Sequence, residues 1–455
     1  MHAYLTLRTG LAACVLLLWF SGCVKQVQQP SALHQVAAQQ MSSPMSFPEL
    51  LPRNTAIGSP EEQAYMRQTY DDLVLAIGRD PQDYRRRLQL AQLFMLEARA
   101  TGEHGHYYPA ALEVLDAVLA ESPAEDVVFG ATSLKASVYL SLHRFAEARD
   151  LATYAVSLNG YNALIYGSLV DACVELGQYE EAVRMADKMV AIRPDLRSYA
   201  RVSYLREIHG DEAGAIAAMQ MAVDAGLPGY EETAWCRLTL GNLYEHSGQL
   251  AAARLQYEQI LAERPNYPFA LAALARIDQK EGKLAEAESR LQQAVAVIPE
   301  VSFYEQLADL YRRTGREAEA REKIREVLDM LADDEAKGHL MGLEYAQVWL
   351  DLLDDPAKAR TYAAREYERR PDNIDVNRVM AAICLRQGEV AQARKHLDVA
   401  LRTGTRNAEL LCLAGLVAIG EGKRQEGMKL LAESFQRDPY QDHGQAAQAK
   451  QLLPG

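Results

Sequence analysis

Small residues recur along this chain at a nearly constant interval, and that interval constrains the fold more than any other feature. Ala111, Ala148, Ala182, Ala215, Ala253, Ala287, Ala320, Ala359, Ala393 and Gly427 stand 37, 34, 33, 38, 34, 33, 39, 34 and 34 residues apart. A period near 34 is that of a stacked-repeat architecture, in which each unit buries its apolar face against its neighbours. The pattern predicts a long surface rather than a pocket.

The clearest copy runs Leu240-Gly241-Asn242-Leu243-Tyr244-Glu245-His246-Ser247-Gly248-Gln249 and on to Ala253, Tyr257, Ile260 and Pro265. Leu240, Tyr244, Tyr257 and Ile260 fall at helical spacings on two apolar stripes. Gly241 and Ala253 are small enough for two helices to approach closely. Gly248 stands where the first helix ends, in a position that favours the left-handed conformation. Pro265 stops the second helix because it cannot continue the hydrogen-bond ladder. This copy resembles the tetratricopeptide repeat. The resemblance implies an all-α fold, an α-solenoid coiled as a right-handed superhelix of about ten helix hairpins with capping helices.

In this register the units start near Tyr84, Phe129, Ala163, Leu196, Ala234, Pro268, Val301, Leu340, Ile374 and Ala408. The turn glycine recurs as Gly177, Gly210, Gly248, Gly282, Gly315, Gly388 and Gly422, and is replaced by His143-Arg144 and Asp354-Asp355 in the second and eighth units. The first unit carries an insertion in its hairpin turn around Glu103 to Tyr108. Longer steps follow the first, fourth and seventh units. They mark either modules (84–128, 129–229, 230–339 and 340–441) or independent loop insertions, with extra residues near Leu227–Tyr230 and Asp333–Ala336. Ser59-Pro60-Glu61-Glu62 opens a capping helix with a capping box and an N1 proline. The array spans 59–441, and residues 442–455 form a closing cap and tail.

The N-terminus indicates an address. Arg8 precedes the apolar run Leu11 to Phe20, which is too short to span a bilayer and suits a signal peptide over residues 1–22. Ser21-Gly22-Cys23 resembles the lipobox of bacterial lipoproteins, with Phe20 where the family prefers Leu. That resemblance implies cleavage before Cys23, diacylglycerol on its thiol and an acyl chain on its new amino group, which together make a stable anchor. Val24 in place of Asp favours the outer membrane, facing the periplasm. Residues 23–58 are rich in Gln, Ser, Pro and Ala and read as a disordered tether. Phe47-Pro48-Glu49-Leu50-Leu51-Pro52 within it is either a docking motif or a linker that brushes the first helix.

Composition narrows the function classes. The chain carries 48 basic and 62 acidic residues, a net charge of −14, which argues against nonspecific nucleic-acid binding. No phosphate loop, HExxH, GxSxG or Ser/His/Asp order is present, so no catalytic constellation and no cofactor is implied. Cys173, Cys236, Cys384 and Cys412 have no CxxC spacing and read as buried thiols. Glu103-His104-Gly105-His106 is the only local cluster of zinc-type ligands. With no second ligand group in reach, it reads as a solvated or partner-contacting loop, not a metal site.

The binding surface follows from the resemblance, since first helices of such repeats line a concave groove. Units 4–6 then present Arg197, Tyr204, Trp235, Leu238, Asn242, Glu245, His246, Phe269 and Arg276. Aromatics among Arg and Asn are the composition of interface anchors. Trp235 and Phe269 also suit a packing role beside the long loop between units 4 and 5. Units 7–9 present Glu305, Asp309, Glu344, Asp351 and Asp375 with Arg312 and Arg378, a face for a basic partner. The clamp for chaperone tails is missing, because Leu238 and Ala273 stand where it needs Lys and Asn. The expected partners are envelope proteins or peptides in the groove and the membrane through the lipid. Nothing fixes an oligomeric state. The function expected is a scaffold for a pilus–secretin, outer-membrane or cell-wall machine, or alternatively for exopolysaccharide synthesis or export.

Overall fold

The computed structural model describes residues 47–121, 123–441 and 444–453. Cys23, the signal segment and the start of the tether lie outside the described residues. A capping helix, Pro60–Arg79, precedes ten hairpins: Tyr84–Thr101 with His104–Ala120, Glu125–Ser141 with Phe145–Leu158, Ala163–Glu175 with Tyr179–Ile192, Leu196–Ile208 with Glu212–Asp224, Glu231–His246 with Leu250–Glu263, Pro268–Lys280 with Leu284–Val297, Val301–Arg313 with Glu317–Ala336, Gly342–Gln347 with Pro356–Arg369, Ile374–Arg386 with Val390–Ala400, and Ala408–Gly420 with Arg424–Arg437. Gly444–Leu452 closes the array. Each hairpin helix packs on the next in order, and the closing helix packs on Ala408–Gly420, making the α-solenoid that the repeat pattern implies. None of the described helices is long and apolar enough to cross a membrane.

The small residues sit where hairpin helices meet. Ala148, Ala182, Ala215, Ala253, Ala287, Ala320, Ala359 and Ala393 are completely buried. A Cβ on Gly241 would enter the Tyr257 ring, and one on Gly427 would strike Ile419 and the Gly415 carbonyl. Core density leaves no room for either, so the spacing of small residues is set by contact distance.

The turns share one geometry even where the glycine is absent. Gly177, Gly210, Gly248, Gly282, Gly315, Gly388 and Gly422 have φ between 71° and 83°. His143 at φ 58° and Asp354 at φ 51° adopt the same left-handed conformation. The residue after each turn donates its N–H back to the helix end, as Gln178 does to Cys173 and Arg144 to Tyr139, which is the Schellman closure. In the eighth unit Asp355 reaches Trp349, one residue further back, because Val348–Leu352 winds as a π-turn that absorbs an extra residue.

Several boundaries differ from the sequence expectation. The first helices of units 2 and 5 begin earlier, at Glu125 and Glu231, and that of unit 8 begins at Gly342. The supposed insertion at Glu103–Tyr108 is helical: Gly102 takes the left-handed position, and the second helix starts at once at His104. The extra residues near Asp333–Ala336 likewise lengthen a helix, Glu317–Ala336, rather than a loop. Residues 47–58, expected at the end of a loose tether, pack on the array. Leu50 is buried, Tyr70 donates its hydroxyl to the Pro48 carbonyl, and Arg53 forms an ion pair with buried Glu97 at 2.6 Å.

The largest departure is that the coil contacts itself. Leu340 N donates to the Leu142 carbonyl at 3.1 Å, Ile374 N to the Tyr179 hydroxyl at 2.9 Å, and Asn373 Nδ2 to the Glu175 carbonyl at 3.0 Å. Arg370 pairs with Glu175 at 2.5 Å and Arg437 with Glu212 at 3.3 Å. Asn54 donates to the Ala296 carbonyl at 2.6 Å, joining the N-terminal segment to the sixth unit. The turn of each of units 1–5 thus lies against a junction about six repeats further on, and the later units form a second layer over the earlier ones. The expected open surface is instead a coil whose successive turns stack and enclose an interior.

The turn glycines record this stacking. A Cβ on Gly177 would run into the Asp372 backbone, whereas one on Gly282, equally left-handed, meets nothing within 4 Å. Gly282→Ala should therefore cost only the left-handed backbone penalty, about 1–2 kcal/mol. Gly177→Ala should cost at least about 1 kcal/mol more through cross-turn overpacking. Urea unfolding followed by circular dichroism measures both, and equal losses would contradict the stacked coil.

Candidate functional site

The stacked turns border a partly open cavity of about 350 Å³ walled by units 1, 2 and 5–8. Four residues expected in the groove, Trp235, Leu238, Phe269 and Arg276, line it. Trp235 and Phe269 are half-buried, and the Phe269 ring meets Phe303 edge-on with centroids 5.4 Å apart. Phe269 thus serves packing and the cavity wall together.

The other groove residues are engaged within the chain. Arg197 pairs with Glu232 at 2.7 Å, and Tyr204 is buried in the core. Asn242, expected to meet a peptide backbone, accepts at Oδ1 from the Tyr257 hydroxyl and from Arg276, each at 2.8 Å. Glu245, only 1% exposed, accepts from the Tyr257 hydroxyl at 3.0 Å and pairs with Arg276 at 2.9 Å and Lys280 at 3.1 Å. Burial by itself would raise the Glu245 pKa, but Arg276 and Lys280 outweigh it and hold the carboxyl well below the usual range. Asn242, Glu245, Tyr257 and Arg276 thus bind one another inside the chain, and of these Arg276 also lines the cavity. In the acidic row of units 7–9, Asp375 lies against Arg378, which also meets Glu409, and Asp309 pairs with Arg313, while Arg312 donates to the main-chain carbonyl of Asp351.

Sequence reading missed the opposite wall. There the second helix of unit 1 approaches the junction of units 7 and 8. His104, Asp334 and His339 bring ligand atoms within 4.8 Å of one another. His106, two residues from His104 on a helix and so on another face, turns away and donates Nε2–H to the Glu49 carbonyl at 2.9 Å. The local His104–His106 pairing is thus replaced by a tertiary one. No sequence signal links His104 to His339, since only the stacking of turns joins them. Cys173, Cys236, Cys384 and Cys412 are buried thiols with no disulfide between them.

Burial favours the neutral form of the titratable groups around the cavity. It lowers His104 to about 3, His143 to about 4 and His339 to about 4, aided by the charges of neighbouring basic groups. It raises Glu300 to about 7, with Asp334 and Glu305 adding repulsion, and Glu344 to about 7, with Glu366 adding more.

Two family models described as tetratricopeptide repeat match residues 139–206 and 272–335. Over those two stretches the chain carries tetratricopeptide repeats. Part of the chain is similar in sequence to cellulose synthase 1 operon protein C of Komagataeibacter xylinus, 29% identical over 163 residues, 33% of this chain and 12% of that protein. It is also similar to cellulose synthase operon protein C of Pseudomonas fluorescens, 31% identical over 130 residues, 26% of this chain and 10% of that protein. The matched stretch thus spans about a tenth of those relatives. Among solved structures, a tetratricopeptide-repeat protein of Thermus thermophilus is 22% identical with a TM-score of 0.36, covering 43% of this chain and 97% of that one. The type IV pilus biogenesis factor PilW is 18% identical with a TM-score of 0.37, covering 44% of this chain and 92% of that one. Both are likenesses of fold alone.

Two consequences are measurable. Glu245→Gln removes the carboxylate that Arg276 and Lys280 share, leaving Lys280 with Asp438 at 3.8 Å, and should cost up to about 3–5 kcal/mol in urea unfolding; a loss below about 1 kcal/mol would show the network to be dispensable. Glu344 has a raised pKa in the folded chain, so its stabilising share is complete below the ordinary carboxylate range and is lost as pH climbs through about 7. Glu344→Gln should therefore gain about 1–3 kcal/mol at pH 8 and almost nothing at pH 4. Unfolding midpoints at the two pH values compare them, and a gain independent of pH would refute the assignment.

Proposed function

We propose that this chain is a lipid-anchored repeat scaffold that holds together proteins of exopolysaccharide synthesis or export at the bacterial envelope. The observation that carries the choice of machine is the likeness of part of the chain to the cellulose synthase operon C proteins of several bacteria. Tetratricopeptide repeats are protein-interaction scaffolds, and here ten hairpins present an extended outer face around a partly open interior. The lipobox-like Ser21-Gly22-Cys23 supports acylation of Cys23, and Val24 supports the outer membrane, with the array in the periplasm. The satisfied state of Asn242 and Glu245 moves the expected partner contact away from a polar groove in units 4–6. It leaves the outer face and the aromatic cavity wall at Trp235 and Phe269. The pilus–secretin and cell-wall machines remain compatible with the fold, but no sequence relative favours them.

Deleting the gene in the source bacterium tests the proposal. Secreted and cell-bound polysaccharide should fall several-fold, while twitching motility stays intact. Cys23→Ser protein should leave the membrane fraction and fail to restore secretion. Unchanged polysaccharide would overturn the machine, and Cys23→Ser protein still in the membrane would overturn the anchor.

A further inference from the structure

We propose that His104, Asp334 and His339 form a site for a divalent transition-metal ion, zinc by ligand type, that clasps the first unit of the coil to the junction of the seventh and eighth. Two imidazoles and a carboxylate form a recognised zinc ligand set. Their ligand atoms lie within 4.8 Å of one another. Tetrahedral zinc, with bonds of about 2.0–2.1 Å, places its ligand atoms about 3.4 Å apart, a contraction that side-chain torsions supply.

His339 points to the ion independently of that clustering. The residue is only 4% exposed. Its Nδ1–H donates to the Asp334 carbonyl at 3.2 Å, while its Nε2 is buried without a hydrogen-bond partner. A buried ring nitrogen left unmatched carries a free-energy cost that a histidine normally avoids. Metal-bound histidines use this arrangement: one nitrogen is fixed by a backbone carbonyl, and the other offers its lone pair to the ion. The His104 ring is held by stacking on Tyr108 at 5.4 Å and faces His339 at 5.9 Å, so both imidazoles are oriented before any ion arrives. The Lys337 ammonium, on the same cavity wall, is held by Asp333 at 2.5 Å. Three protein ligands leave a fourth position for water or for a guest in the cavity, whose wall also carries Glu300 and Glu344.

The ligands come from different turns of the coil, so the ion would add an interaction that the unfolded chain cannot make. Binding therefore stabilises the folded state by mass action. Full-length protein stripped with chelator is titrated with Co²⁺, then with Zn²⁺ in competition. Visible absorbance follows the cobalt, and thermal unfolding is recorded with and without zinc. One equivalent should bind with tetrahedral cobalt bands, and zinc should raise the unfolding temperature. His339→Asn and Asp334→Asn should each weaken binding at least ten-fold and abolish the thermal shift, whereas His106→Asn should change neither. Circular dichroism of the stripped variants separates lost ligation from lost folding. The wild-type chain alone decides the first point: no saturable binding and no thermal shift overturn the site. Equal weakening by His106→Asn, or undiminished binding by folded His339→Asn, would overturn the ligand assignment.

Discussion

Paired helices in this protein approach until backbone and Cβ are all that fit between them, and every larger feature follows from that contact. Ala148, Ala182, Ala215, Ala253, Ala287, Ala320, Ala359 and Ala393 are wholly buried at equivalent crossings. Because packing at such a crossing tolerates little added volume, the same crossing geometry recurs unit after unit. A repeated rotation between identical steps generates a superhelix. Its regularity lets the turn of one unit meet a junction about six repeats later with hydrogen-bond precision, as Tyr179 meets Ile374.

Closure of the coil changes what the surface can do. An open solenoid displays its first helices to solvent. Here the interior face is roofed by a second layer of units, and the polar residues that would meet a peptide meet one another. Glu245 collects Arg276, Lys280 and Tyr257. Buried charges of this kind persist only when matched, so the network fixes the interior against rearrangement. Around the remaining cavity the matching is incomplete, and histidines and carboxylates are pressed toward neutrality.

Much of the fold was legible in the sequence, for local reasons. Glycine at Gly177 or Gly248 reports a left-handed turn, and buried alanine reports a close crossing, because each is a constraint on one residue and its near neighbours. Where His143 and Asp354 replace the glycine, the sequence located the turn but failed to show its left-handed conformation. It also failed where a helix absorbs extra residues, as at Val348–Leu352. The candidate site was half legible. Trp235 and Phe269 do face the interior space, but their surroundings come from units far along the chain.

The sequence by itself determined the architecture, the unit boundaries to within a few residues, the burial of Cys173, Cys236, Cys384 and Cys412, and the absence of a familiar catalytic motif. Repetition makes these properties local, so each copy restates them. Only the tertiary structure decided that the coil closes, that residues 47–58 fasten its start, and that His104 lies beside His339 rather than working with His106. The reason is geometric. Rotation per repeat is a small angle set by many side chains together, and its sum over six repeats, which no single residue encodes, determines which turns touch.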